Sequence, residues 1–296
     1  MKYKLTSGEP DISNFYSALG VQTVEAVPYG EPTTFEDEET GMLQHTLLEN
    51  ASAIFERNRI KAIDGLRFIA AETVRKYGIP MTNGLDLGSG ATGAMVHDIL
   101  PIDKPSSWVQ LELNPAALAE NKRRHPVDTI VQGSYHRLST VLGLNESMDV
   151  ITGLSSLDAT YFLKHTIEEI RRALKPGGYL FHIQDVRPGK GYGFRGLEAM
   201  GQRPPYQVDV LSNEQILNYY ADQTRYSIGE MFRREIGEAI ETTGGMELLE
   251  NGWVNAMTVD KVRDPIIYYL NIFLQLSGAV HHSTVSSIVT VARKAA

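Results

Sequence analysis

The chain has 296 residues, 42% of them hydrophobic and 22% charged, with a formal net charge of −8. That length suffices for one large domain, or for a core domain with a sizeable cap. The acidic balance excludes a broad nucleic-acid-binding surface, which needs excess positive charge. There is no cysteine, so disulfides, thiolate catalysis and cysteine-ligated zinc are excluded as well.

Residues 1–40 are rich in Gly, Pro, Ser, Thr and acids and read as an arm with a few aromatic anchors, Phe15, Tyr16 and Tyr29. The opening run MKYKLTSGEPD has no apolar core of the kind a secretory signal carries. Leu47, Leu48, Ile54, Phe55, Ile60, Ile63, Leu66 and Ile69 recur at threes and fours, which predicts two helices over 41–77. Gly78 then caps, and Pro80 cannot continue the helix.

From residue 83 the pattern alternates. GLDLG is a short apolar strand, Ala94–Leu100 begins a helix, and SWVQLEL is a strand. Pro115–His125 is a helix with proline in its first turn. Its basic end, Lys122-Arg123-Arg124, reads as a solvated helix terminus, where cations meet the helix dipole favourably. DTIVQG and MDVITG are strands. Tyr161–Leu174 is an amphipathic helix closed by Lys175-Pro176-Gly177-Gly178, and GYLFHIQDV is a further strand. Such alternation predicts an α/β fold, a mainly parallel sheet with helices on both faces.

After Val186 the rhythm breaks. Residues 187–206 read as a long loop, helices resume over 212–243 and end at Gly244-Gly245, Met246–Val254 is a strand, and SSIVTVARK is the last one. The longest apolar stretch, 265–280, is shorter than the roughly 20 residues that span a bilayer and contains Asn271 and Gln275. It reads as a buried or interface helix; if exposed, it favours a homodimer. A cytoplasmic chain with no membrane span and no nucleic-acid partner is expected.

The run LDLGSGATG, Leu85–Gly93, carries the most chemistry. An apolar strand leads to Asp86, then to Gly88, Gly90 and Gly93. A strand ending in such a turn brings backbone close to a nucleotide, because no side chain stands in the way. Glu112 lies 24 positions after Gly88, one strand-turn-helix-strand unit onward. A carboxylate at that strand tip can accept both hydroxyls of an adenosine ribose. An acid just before the first glycine suits an ammonium and repels a pyrophosphate, which weighs against a dinucleotide.

With LDLGSGATG, WVQLELNP, MDVITGLSSLD and LKPGGYLFHIQD in this order, the chain resembles the class I S-adenosylmethionine-dependent methyltransferases, well over 80–186 and more loosely over 230–296. The resemblance implies a Rossmann-like, doubly wound, mainly parallel seven-stranded sheet. It implies S-adenosyl-L-methionine as cofactor and S-adenosyl-L-homocysteine as product. The implied cofactor contacts are Asp86, Gly88, Ser89, Gly90, Thr92, Gly93, Glu112, Leu113, Ser134, Tyr135 and Leu154. Two positions depart from the family pattern. The third glycine comes one place late, at Gly93, which leaves Thr92 to offer its hydroxyl, and Ser134 stands where many members have an acid for the adenine amino group.

Methyl transfer from a sulfonium needs alignment and exclusion of water, and a base only where the acceptor must lose a proton. The acceptor should meet the loops after the fourth and fifth strands. Tyr161, Asp185 and His136 are candidate catalytic groups there, with Asp158 as a further polar candidate or a helix cap. His281-His282 has no carboxylate at ligand spacing, so no metal is expected. Tyr192, Tyr206, Tyr219, Tyr220, Tyr226, Tyr268 and Tyr269 suit a pocket for an apolar or aromatic small molecule, or the core of a cap.

The expected organisation is an arm and helical cap over 1–80, the cofactor-binding core over 81–186, a cap insertion over 187–245, and the rest of the core with an inserted apolar helix over 246–296. The expected function is methyl transfer to the O, N or C atom of a small, apolar or aromatic specialised metabolite in a closed pocket. A peptide or protein methyltransferase and a non-catalytic cofactor-binding protein remain open.

Overall fold

The computed structural model describes residue 39 and residues 63–102, 106–139, 142–157, 160, 162–185, 224–257 and 284–296. Asp158, Tyr161, the loop 187–206, the apolar stretch 265–280 and His281-His282 lie outside the described residues.

Seven strands form one sheet: β1 Asn83–Leu87, β2 Ser107–Glu112, β3 Thr129–Gln132, β4 Met148–Leu154, β5 Leu174–Asp185, β6 Met246–Met257 and β7 Thr284–Lys294. Their order is β3-β2-β1-β4-β5-β7-β6. β7 runs antiparallel to both β5 and β6, and the pairs among β1 to β5 are parallel. This is the expected doubly wound, mainly parallel sheet.

Strands buried on both faces explain why the segments read as continuous apolar runs. One face carries Leu85, Leu87, Ile151, Leu180, Ile288 and Ala292, covered by helices α3 (Leu163–Ala173) and α4 (Thr224–Thr243). The other carries Val150, Leu154, Phe181, Ile183, Val289 and Val291, covered by helix α1 (Ile63–Tyr77). Successive residues of β5 and β7 fall into opposite cores, as the period of two demands. Helices α1 and α4, expected in the cap, thus lie on the sheet itself.

Three local readings need correction. Met95–Ile99 is a turn of π-helix, with Leu100 N donating to Met95 O, where an ordinary helix over 94–100 was expected; Pro101 leaves the helix no room to continue. The amphipathic helix begins at Leu163, two residues late, and Thr160 Oγ1 accepts from the Phe162 amide just before it. Lys175–Gly178 is not a turn outside the sheet. β5 begins at Leu174, opposite Met148, and an irregularity in its pairing with β4 absorbs the proline and glycines.

Two ends were legible. Helix α1 stops at Tyr77 with Gly78 at φ +61°. Helix α2 (Pro115–Arg124) opens on Asn114, whose Oδ1 accepts from Ala116 N at 2.9 Å. Its basic end is matched internally. Arg123 and Arg124 both bond Glu120, and their hydrogen bonds pull that carboxyl down to about 2.

Glu250 of β6 ties α1 to the sheet edge, accepting from Lys76 and, at 2.6 Å, from Tyr77. The Lys76 ammonium, with help from Tyr77, holds the Glu250 carboxyl below its ordinary value. A depressed carboxyl contributes stability above its unfolded pKa and loses it as pH falls through the folded one. Glu250→Gln should therefore cost under about 1 kcal/mol at neutral pH. Urea denaturation at pH 7 and pH 3 checks this, and the difference from the parent should close in acid.

Candidate cofactor site

The strand order reverses between β1 and β4. A crevice opens there beyond the carboxyl ends of the strands, which is where α/β sheets bind ligands. The loop after β1, the tip of β2, the turn after β3 and the tip of β4 all meet at this edge. One topological fact therefore gathers Gly88–Gly93, Glu112–Leu113, Ser134–Tyr135 and Leu154, which the sequence spreads over 67 positions.

The glycine-rich loop turns through Gly88 (φ +65°), Gly90 (φ +65°) and Gly93 (φ +59°). The last two glycines do different work. A Cβ on Gly90 would meet nothing within 4 Å, so that position opens onto the crevice. A Cβ on Gly93 would lie 2.3 Å from Gln110 Oε1 and 2.9 Å from His97 Cδ2. Gly93 thus faces the sheet and lets the loop lie flat on β2.

Glu112 closes the loop from below. Its Oε2 accepts from Gly90 N at 2.7 Å and its Oε1 from Asn114 N at 2.8 Å. The residue is only 9% exposed. Burial pushes its carboxyl above the ordinary range, against the pull of the Asn114, Gly90 and Leu113 amides. An ionised carboxylate has about four lone-pair sites, more than these amides fill, so it can still accept from a further donor.

Asp86 is buried at 1% exposure and its Oδ1 accepts from Thr152 Oγ1 of β4 at 3.1 Å. Asn121 of α2, fully enclosed, spreads its Nδ2 over Gln110 Oε1 (2.9 Å), Gly90 O (3.0 Å) and Ser89 Oγ (3.2 Å). Gly90 is therefore held at its nitrogen by Glu112 and at its oxygen by Asn121. Ser89 N also donates to Leu111 O at 2.9 Å. Asn121, Gln110 and Thr152 were missed in the sequence; the one available signal was a polar residue on an otherwise inward-facing position of a helix or strand.

Ser134 Oγ accepts from His136 N at 3.2 Å and caps the short 3-10 turn Tyr135–Arg137. Thr92 presents its carbonyl to His125 Nε2 at 3.0 Å. Among the candidate catalytic groups, His136 is buried at 1% exposure, with Nδ1 2.9 Å from Thr166 Oγ1 and its ring enclosed by Tyr135, Phe162 and His165. Asp185 is the last residue of β5, opposite Ser287.

Residues 85–182 match the methyltransferase domain family. Over 86 residues the chain is 35% identical to a Mycobacterium ulcerans protein, a "Probable phthiotriol/phenolphthiotriol dimycocerosates methyltransferase 2". That match covers 28% of this chain and 32% of the relative, about a third of its length. Residues 85–182 are a class I S-adenosylmethionine-dependent methyltransferase domain. Among solved structures, the plantazolicin methyltransferase BamL, in complex with S-adenosylhomocysteine (SAH) and a triazolic desmethyl analogue, superposes with a TM-score of 0.50 at 11% identity, covering 87% of this chain and 97% of that one. The methyltransferase CalH, in complex with SAH, gives 0.43 at 19% identity, covering 73% and 52%. The first likeness, at such identity, speaks for the fold. The methyltransferase domain spans β1 into β5, so its match contains both the glycine-rich loop and Glu112.

Described residues include no helix long and apolar enough to cross a membrane.

Proposed function

We propose that this chain transfers the methyl group of S-adenosylmethionine to a small, apolar or aromatic acceptor. The observation that carries this reading is the pairing of an open glycine cradle at Gly90 with a buried carboxylate, Glu112, anchored beneath it. That combination fits the cofactor: the carboxylate takes the two ribose hydroxyls, the loop backbone lies along the methionine portion, and Asp86 with Thr152 holds the ammonium end. The bound cofactor supplies an activated methyl group on sulfur, so the chain's own residues need only bind, orient and exclude water.

On the acceptor side we assign contact roles to Tyr161, after β4, and to Asp185, at the end of β5. His136, walled in by aromatic rings, acts as a positioning residue for the turn after β3. Glu39 supports a covering role for the N-terminal segment. Its carboxylate accepts from Arg137 Nε and Nη2, both at 3.3 Å, which places Glu39 at the same turn. A small apolar acceptor is favoured by the tyrosine-rich sequence that follows β5, with Tyr192, Tyr206, Tyr219, Tyr220, Tyr268 and Tyr269, and by the acidic net charge. The Mycobacterium ulcerans relative is named for phthiotriol/phenolphthiotriol dimycocerosates, but the match covers 28% of this chain and 32% of that protein.

The test is calorimetry with SAH, followed by turnover assays with S-adenosylmethionine against a panel of phenols, lipid alcohols, amines and peptides. Saturable binding and SAH release with a member of the small-molecule panel is the expected result. Binding with turnover on peptides alone would replace the acceptor assignment, and folded protein that does not bind SAH would overturn the reading.

A further inference from the structure

We propose that His97, His125 and Asp128 form a site for a divalent transition-metal ion, zinc in the first instance, on the outer flank of the cofactor loop. The three come from separate elements: the π-turn that follows the loop, the carboxyl end of α2, and the turn into β3. One ligand atom from each lies within 4.8 Å of the other two, and no other trio of His, Asp or Glu converges in this way among the described residues. His97 Nε2 and Asp128 Oδ2 are 2.6 Å apart. The two imidazoles lie face to face, with centroids 3.5 Å apart and planes 9° apart.

Two imidazoles and a carboxylate are a donor set that zinc accepts, with a fourth position left to water. The surroundings are those of ligands rather than of loose surface groups. Asp128 Oδ2 also accepts from Gln110 Nε2 at 2.7 Å, and His125 Nε2 is fixed on Thr92 O at 3.0 Å. A carbonyl holding one ring nitrogen leaves the other, Nδ1, free to bind metal; such outer partners orient metal-bound histidines generally. His97 is exposed and Asp128 partly so, which leaves an entry path.

A bound ion must lie in the plane of each ring, and stacked rings share no such point. Binding therefore turns one imidazole about its Cβ–Cγ bond. His97 is the ring that turns, because His125 is fastened to the loop. With Zn–N and Zn–O bonds of about 2.0–2.2 Å, the ion then sits where the His97–Asp128 contact now is. The proposed methyl transfer uses none of these three side chains. Their link to it is mechanical, through Thr92 and through Gly93, which packs against His97.

The experiment is a titration of chelator-stripped full-length protein with Zn2+ alone by calorimetry, repeated with Co2+ by visible absorption, and with melting curves recorded in parallel. The expected result is one ion per chain, a tetrahedral Co2+ spectrum, and a zinc-dependent rise in melting temperature. His97→Gln and Asp128→Asn should each weaken binding tenfold or more. Both positions are near the surface, and a parent-like circular dichroism spectrum verifies that they fold. His281→Gln with His282→Gln should leave binding unchanged. Lack of saturable binding, parent-like affinity in both site variants, or loss of binding only in the His281/His282 variant would each overturn the proposal.

Discussion

Glu112→Ala is expected to weaken SAH binding on the order of 100-fold while the protein stays folded. Hydrogen bonds to a charged group contribute about 1.5–3 kcal/mol each, and the ribose offers two hydroxyls, so about 3 kcal/mol is at stake; at 1.4 kcal/mol per decade this is two orders of magnitude. Glu112→Gln is the sharper variant. Its amide oxygen still accepts from Gly90 or Asn114, but the charge is gone. Burial holds the Glu112 carboxyl above its ordinary range. A raised carboxyl means that the ionised form is disfavoured in the folded chain, so its contribution is full below the unfolded pKa and is lost as pH rises through the folded one. Glu112→Gln should therefore melt no lower than the parent at neutral pH, even as its affinity falls. Cofactor affinity in the parent should also decline on acidification from a higher pH than an ordinary glutamate would give, and Glu112→Gln should remove that decline. Calorimetry across pH 4–8 with melting curves checks both parts. A variant that binds like the parent would show that Glu112 supports the loop without touching the nucleoside.

The split between affinity and stability also shows why some of this site was legible and some was not. Glu112 and the glycines announce themselves because strand, turn and helix are local events: an apolar run that stops, an acid at its tip, glycines where left-handed backbone is required. The seven strands follow from the same periodicity. Asn121, Gln110 and Thr152 are silent in sequence. Each acts on a partner 11 to 66 residues away, and only the packing of α2 and β4 against the loop brings them there. The cluster of His97, His125 and Asp128 is silent for the same reason: His125 and Asp128 are near neighbours in sequence, but His97 comes from the turn before β2 and only the fold brings it to them. Helix α1 was misplaced because amphipathicity says that a face is buried without saying against what. Its Leu66, Ile69 and Ala70 meet the sheet, as a cap helix would meet another cap helix. At Lys175–Gly178, turn residues outweighed the pairing that β4 imposes.

Gly90 and Gly93 should separate binding from folding within one loop. Both have positive φ, so an alanine at either pays roughly 1–2 kcal/mol for left-handed backbone. At Gly93 the new methyl group also collides with Gln110 Oε1 and His97. Gln110 cannot retreat freely. It accepts from Asn121 at 2.9 Å and donates to Asp128 at 2.7 Å. Breaking those two bonds costs about 1 kcal/mol each, and the overlap itself about 1–3 kcal/mol. Gly93→Ala should thus lose about 4–7 kcal/mol, a large share of the 5–15 kcal/mol that holds a typical domain together. At about 2–4 °C per kcal/mol, its melting temperature should fall by roughly 10 °C or more. Gly90→Ala meets no protein atom within 4 Å, so it should lose only the backbone term and melt within a few degrees of the parent. Its methyl group instead stands in the crevice above Glu112, where a nucleoside must approach the backbone. SAH affinity should fall about tenfold to a hundredfold, the 1–3 kcal/mol of a steric insertion. Scanning calorimetry and SAH titration on the same two proteins decide the matter. Equal losses of stability would mean that the loop is a single packing unit, and full SAH affinity in Gly90→Ala would move the cofactor off this face of the loop.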